Sequence, residues 1–232
     1  MWDNHQMLGS LANSLFALAV LIASYYITKW VVNLPLLPLK EVSVSSTGTG
    51  RLKHVTHEQI TDSVRSQAIG NFLTVDLDAA RRAFGKLPWV RTASVRRVWP
   101  DSLELKIEEH VVLARWGNRR LVNIRGEIFE AASDEPLPLF EGMDESAGDM
   151  ARHYAIFSEL LRPIGENIGY MRLSPRRAWT LRLGNGTTLE LGREQLEARL
   201  RRYVLAHSHG FGKTAMQLGY VDLRYPNGFA AR

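Results

Sequence analysis

Three groups of polar residues have side chains that could support catalysis or ligand binding. His207 and His209 could ligate a metal ion, but they follow a predicted helix and no carboxylate lies near them in the sequence. Gly212-Lys213-Thr214 matches the end of a phosphate-binding loop, but His207 stands where that motif requires its first glycine. Asp76 and Asp78 fit a helix cap and a first helical turn better than an acid–base pair. We therefore predict a protein that is not an enzyme and that binds no metal or cofactor.

The composition excludes further classes of site. The 232 residues include no cysteine, which rules out disulfides, thiol catalysis and cysteine-based metal sites. The net charge of +5 raises the question of nucleic-acid binding, but the arginines are dispersed in pairs and no nucleic-acid motif accompanies them. A dispersed basic surface is more typical of proteins that meet acidic proteins or anionic membranes, so we predict no nucleic-acid partner.

The amino-terminal segment has the length and polarity of a transmembrane helix. Leu8 to Ile27 is 20 residues without a charge, enough to span about 30 Å of hydrocarbon. Tyr25, Tyr26 and Trp30 resemble an aromatic belt at one membrane interface. A cleaved signal peptide is disfavoured because no basic residue precedes the apolar run. A buried helix of a globular domain remains the other alternative.

The orientation of this helix is ambiguous from charge alone. The basic residues Lys29, Lys40, Arg51 and Lys53 all follow it, which favours a cytoplasmic body by the positive-inside rule. Large domains can be translocated despite their charge, so the rule leaves both orientations open.

The pattern after the anchor predicts a small α+β unit. Its elements follow the order β-α-α-β-β: a strand around Val42 and Val44, helices over His57–Gln67 and Leu77–Lys86, a strand over Val90–Trp99, and a strand carrying Leu103, Leu105 and Ile107. Thr56 and Gln59 have capping-box spacing, and Asp76 is a plausible cap for the second helix. We expect two helices to cover one face of a three-stranded sheet, with Trp89 and Trp99 in its core.

The second half predicts a mixed β domain with flanking helices. Amphipathic helices are expected over Asp149–Arg162 and Arg193–Ala206, and a hairpin turn at Asn185-Gly186. The final strand, Tyr220–Tyr225, has no later segment that obviously pairs with it. We therefore predict an open edge strand at the carboxyl-terminal side of this sheet.

Three runs resemble one protein family. They are LPWVRTASVRRVWPDSL from Leu87 to Leu103, ARW from Ala114 to Trp116, and YVDLRY from Tyr220 to Tyr225. Together with the anchor they resemble the FtsQ/DivIB family of bacterial cell division proteins. The resemblance implies a cytoplasmic tail (1–7), a transmembrane helix (8–32), a linker (33–39), a polypeptide-binding POTRA domain (40–110) and a β domain (111–232), both domains being periplasmic.

The resemblance also implies a function. Members of this family are non-enzymatic scaffolds of the divisome that link early and late division proteins. They cross the inner membrane once, concentrate at the septum, and bind the FtsB–FtsL complex and other proteins such as FtsW, FtsI and FtsN. One alternative is a membrane-anchored POTRA chaperone or secretion component that binds extended polypeptides. Another is a cytoplasmic nucleic-acid sensor, which would follow from the charge bias.

The family binds FtsB at the carboxyl-terminal edge, and the matching positions predict the site residues here. They are Arg176, Lys213, Arg224, Tyr225, Asn227 and Phe229. Arg176 and Arg224 are expected to bind carboxylates of the partner, since arginine can donate two parallel hydrogen bonds to one carboxylate. Tyr225 is expected to bury its ring as an anchor. Phe229 is expected to replace a tryptophan that the family carries beyond this strand.

Overall fold

The computed structural model describes residues 5–32, 41–46, 52–56, 58–62, 71–211, 219–225 and 228–232. These residues belong to two compact units, Met1–Glu109 and His110–Arg232.

The first unit begins with a long apolar helix, α1 (His5–Val32). Its segment Leu8–Val31 has a mean hydropathy of 1.7 and contains no buried residue, which argues against the alternative of a buried globular helix. The Ser14 and Thr28 hydroxyls donate to the carbonyls four residues before them, which satisfies these polar groups within the helix. In the described part of the chain, α1 is the one helix long and apolar enough to cross a membrane.

The remainder of this unit has the predicted β-α-α-β-β order. Its elements are β1 (Glu41–Ser46), α2 (58–62), α3 (Leu77–Phe84), β2 (Val90–Val98) and β3 (Ser102–Glu109). The strand order is β1-β3-β2, with β1 parallel and β2 antiparallel to β3. Because β3 alternates buried and half-buried residues, one face of the sheet forms a core with the two helices.

Both predicted helix caps are present. The Thr56 amide donates to Gln59 Oε1 at 3.1 Å and the Gln59 amide donates to Thr56 Oγ1 at 3.3 Å, a reciprocal capping box. Asp76 accepts a hydrogen bond from the Ala79 amide at 2.9 Å. The predicted end of the first helix, at Gln67, lies outside the described residues.

The two tryptophans predicted for this core differ. Trp89 packs against the core and its ring stacks on His54 with centroids 3.6 Å apart. The prediction for Trp99 is wrong, because its side chain is 70% exposed. Trp99 lies in the turn after β2, beyond the last paired residues Val98 and Ser102, so strand alternation no longer sets its direction.

In the residues that the structure describes, the second unit is a nine-stranded mixed sheet with two α-helices. Its strands are β4 (Val112–Trp116), β5 (Arg120–Asn123), β6 (Ile128–Phe129), β7 (Leu139–Glu141), β8 (Ile168–Leu173), β9 (Trp179–Leu183), β10 (Thr188–Gly192), β11 (Tyr220–Asp222) and β12 (Ala230–Ala231). They are ordered β12-β11-β10-β9-β8-β7-β4-β5-β6. The helices are α4 (Ala147–Leu161) and α5 (Leu196–Ala206), whose buried residues join the sheet in one core.

Local backbone conformation explains two differences from the predicted boundaries. Helix α5 begins at Leu196 and not at Arg193, because Gln195 has a left-handed φ of 53° that a helix interior cannot contain. In the loop between β9 and β10 only Gly186 has a positive φ, 92°, and the Gly186 amide donates to the Leu183 carbonyl. The turn is therefore a three-residue loop that ends in a left-handed glycine.

Candidate protein-binding edge

The carboxyl-terminal side of the large sheet ends in two short strands. β11 pairs in parallel with β10, and β12 pairs antiparallel with β11 through Val221–Ala231 and Asp222–Ala230. The prediction that Tyr220–Tyr225 has no later partner is therefore wrong. Among the residues that the structure describes, the outermost strand on this side of the sheet is β12, and β11 is covered on both sides.

The return of the chain onto β11 has a physical cause. Val221 and Leu223 are fully buried, and Phe229 packs partly buried against the same core. The Arg232 guanidinium also lies over the Tyr220 ring, 4.5 Å from its centroid. These contacts hold residues 228–232 against the outer side of β11.

The hydrogen-bond pattern shows which groups β12 presents outward. The Arg232 amide donates to the Tyr220 carbonyl at 3.0 Å, so this pair is the hydrogen-bonded kind. In an antiparallel ladder the next pair, Val221–Ala231, is then the non-bonded kind. The N–H and C=O of Ala231 therefore point away from β11, toward the position that a further strand would occupy.

Tyr225 lies beside this edge. It follows β11 and its side chain is 55% exposed. A groove of about 210 Å³ joins it to both terminal strands; the lining residues are Tyr220, Asp222, Arg224, Tyr225, Ala230, Ala231 and Arg232. The ring of Tyr225 is thus available to a molecule that aligns with β12.

Sheet order brings three arginines to the same end of neighbouring strands. Trp179, at the start of β9, pairs with Gly192 at the end of β10, and Glu190 of β10 pairs with Asp222 at the end of β11. Arg176 precedes β9, Arg193 follows β10 and Arg224 follows β11. The three residues therefore lie at one end of the sheet although they are distant in sequence.

Two cavities at this end share lining residues and form a continuous surface. One, of about 500 Å³, is lined by His153, Pro175, Arg176, Arg177, Trp179, Arg193, Glu194 and Leu196. The other, of about 290 Å³, is lined by Ala178, Gly192, Arg193, Glu194, Arg199 and Arg224. Because Arg193 and Glu194 line both, the predicted residues Arg176 and Arg224 border one predominantly cationic surface. Arg193 and Arg199 also belong to this cationic surface, and the sequence pattern did not identify them.

Arg224 already holds a carboxylate of its own chain. Its Nε donates to Asp222 Oδ1 at 2.9 Å and its Nη2 donates to Asp222 Oδ2 at 2.6 Å. The hydrogen bond from Arg224 lowers the pKa of the Asp222 carboxyl group, and the same bond raises the pKa of Arg224. Arg224 is nevertheless 59% exposed on its side chain, so a partner carboxylate could approach the guanidinium from its solvent side.

Acid should abolish the contribution of this pair to stability. Since the pKa of Asp222 is lowered in the folded state, its stabilising effect is complete above the unfolded pKa of about 3.9 and is lost as pH falls through the folded value. We expect Asp222→Asn to lower Tm at pH 7, and the difference from the natural protein to shrink below about pH 4. Thermal unfolding of both proteins, followed from pH 7 to below about pH 4, measures this difference in Tm. A difference that stayed constant with pH would contradict the assignment, because other carboxylates titrate in both proteins.

Arg176 and its neighbour Arg177 differ in their partners. Arg177 donates to Asp149 Oδ2 at 2.9 Å, and Arg152 bonds to the same carboxylate. Hydrogen bonding from Arg177, then from Arg152, lowers the pKa of Asp149. Arg176 is exposed at the cavity mouth. Its placement suits recognition of a carboxylate outside this chain.

The remaining predicted residues have different outcomes. Lys213 and Asn227 lie outside the described residues. Phe229 is partly buried against the sheet core, so its ring is not fully exposed. His209 Nδ1 lies 2.7 Å from the Leu205 carbonyl, a local helix contact. Across the described ranges, no group of three or more His, Cys, Asp or Glu residues could hold a metal ion.

Comparison with known proteins identifies the family. The model of the FtsQ-type POTRA domain matches residues 37–110, and that of the FtsQ/DivIB carboxyl-terminal domain matches residues 114–224. The cell division protein FtsQ of Nitrosospira multiformis is 56% identical over 100% of this chain and 99% of that protein. FtsQ of Burkholderia pseudomallei is 40% identical over 100% and 94%, and FtsQ of Neisseria gonorrhoeae is 34% identical over 100% and 95%. The chain therefore belongs to the FtsQ family of bacterial cell division proteins.

Proposed function

We propose that this protein is a non-enzymatic scaffold of the divisome. It is anchored in the inner membrane by α1, concentrates at the septum, and links early division proteins to late ones such as FtsW, FtsI and FtsN. Membership of the FtsQ family and the exposed apolar helix at the amino terminus support this function.

The proposed arrangement follows the chain from the cytoplasm outward. Residues 1–7 form a cytoplasmic tail, 8–32 the transmembrane helix and 33–39 a linker. The POTRA domain (40–110) and the β domain (111–232) are periplasmic. Positive charge after α1 argues for the opposite orientation, but a folded body of this size can be translocated despite that charge.

The FtsB–FtsL complex binds by adding a strand of FtsB to the carboxyl-terminal edge. The observation that carries this proposal is the outward N–H and C=O of Ala231 on the outermost strand β12. Main-chain hydrogen bonds to Ala231 supply affinity. Tyr225 anchors the partner at one side, and Arg176 and Arg224 bind its carboxylates at the adjacent end of the sheet.

A second candidate function uses the other unit. In the described part of the small sheet, β2 is an outer strand nine residues long, and such an edge could pair with extended polypeptides. A membrane-anchored chaperone or secretion component of this kind would bind many clients and would not be enriched at the septum.

Imaging and topology reporters test the scaffold function. A fluorescent fusion should concentrate at midcell in dividing cells, whereas uniform membrane fluorescence would favour the chaperone. A reporter enzyme that functions only in the periplasm should give a signal when it is fused after Arg232. Activity of a cytoplasm-specific reporter at the same position would contradict the proposed orientation.

A further inference from the structure

The first unit carries an exposed apolar tip at the β2–β3 turn. Trp99 is 70% exposed, and Val98 and Leu73 are 40% and 41% exposed. The Trp99 ring packs edge-to-face with the buried Phe72, with centroids 5.2 Å apart. Large side chains that remain in solvent at one place on a folded unit mark a contact surface.

Arg97 fixes the two parts of this tip together. Its guanidinium donates to the carbonyls of Phe72, Leu73 and Val75 at 2.9, 3.2 and 2.8 Å. These bonds tie the loop before α3 to the end of β2. Leu73 is therefore held close to Val98 and Trp99, and the three exposed side chains form one preorganised surface, the hairpin tip.

Strand register places the hairpin tip at the end of the sheet where the chain enters from α1. Glu41, the first residue of β1, pairs with Ser102, which directly follows the turn containing Trp99. Nine residue steps separate Val32, the end of α1, from Glu41. At about 3.5 Å per step, this connection keeps Glu41 within about 30 Å of the helix end. The hairpin tip is thus tethered near the membrane surface.

The chemistry of the tip suits a lipid interface. Tryptophan favours the boundary between headgroups and acyl chains because its ring is apolar and its indole N–H is polar. Arg96 lies next to the tip with a largely exposed side chain, although it pairs with Glu104. The net charge of +5 also favours an anionic surface.

We propose that the hairpin tip inserts Trp99 into the interface of the bilayer that α1 spans, with Leu73 and Val98 as flanking contacts. The contact rests on the proposed membrane anchoring of α1. It docks the small sheet on the membrane surface and limits the orientations that the tether alone would allow.

Site-specific quenching tests this contact in the full chain. Because the protein contains no cysteine, Leu73→Cys and Val98→Cys each create a unique site for an environment-sensitive fluorophore. The labelled proteins are reconstituted in phosphatidylethanolamine–phosphatidylglycerol vesicles that carry a nitroxide-labelled lipid. Lys86→Cys is the matched control, because Lys86 is exposed and lies in the turn at the opposite end of β2.

Labels at positions 73 and 98 should emit at shorter wavelength and lose several-fold more emission to the quencher than the label at position 86. Adding Trp99→Ala to the Val98→Cys protein should reduce quenching to the control level. Equal quenching at all three positions, or full quenching without Trp99, would overturn the proposal. Flotation of the protein with the vesicles reports insertion of α1 separately, so failure of the anchor is distinguishable from failure of the tip contact.

Discussion

Replacing Ala231 by proline should weaken binding of the FtsB–FtsL complex by about a hundredfold, corresponding to about 3 kcal/mol. Proline removes the outward N–H of Ala231, leaves a partner carbonyl without its donor, and places a ring where the added strand must lie. The bond from the Arg232 amide to Tyr220 does not involve Ala231, and proline is tolerated on edge strands. The folded protein should therefore persist.

The natural protein and the proline variant are compared by titrating the purified complex into full-length protein in detergent. Ala231→Val is the matched control, because valine adds a side chain of similar bulk and retains the N–H. If the valine variant keeps the natural affinity and the proline variant loses it, the hydrogen bond from the N–H of residue 231 to the partner is responsible. Equal affinity of all three proteins would eliminate strand addition at β12.

Replacing Tyr225 by alanine should weaken the same interaction by about thirtyfold, or about 2 kcal/mol, the effect typical of an aromatic anchor. Tyr225 is more than half exposed, so its removal should leave Tm nearly unchanged. Tyr225→Phe keeps the ring and should retain most of the affinity. If the alanine variant bound as tightly as the natural protein, Tyr225 would not be an anchor for the partner.

The sequence predicted elements whose determinants are local. The capping box of Thr56 and Gln59 and the cap at Asp76 depend on residues three apart, and both have the predicted hydrogen bonds. The buried stripe of β3 follows directly from its alternation. The order β-α-α-β-β was predictable because each of these elements carries its own periodicity or cap.

Nonlocal pairing accounts for the main errors. β12 contains two residues, which is too short a pattern to detect in sequence, and it exists only through its pairing with β11. By strand alternation Trp99 would lie on the same face as Ala93 and Val95, which pack against the core. The strand ends one residue before Trp99, so this alternation does not apply to it. In both cases the point at which a strand ends or is covered depends on the tertiary structure.

The candidate site was predictable only in part. The resemblance supplied Arg176, Arg224 and Tyr225, but not the sheet order that gathers Arg193 and Arg199 with them. The pairing of Asp222 with Arg224 was available from sequence, because residues two apart on an extended chain lie on the same face.

The parallel pairing of β1 with β3 has a mechanical consequence. The chain enters the small sheet at Glu41 from the side of α1 and leaves it at Glu109, while Glu41–Ser46 runs alongside Ser102–Ile107 in the same direction. Tension between the membrane and a partner held by the second unit would pull these strands along their length. All six residue pairs would then resist sliding together, so such tension would load the sheet in shear.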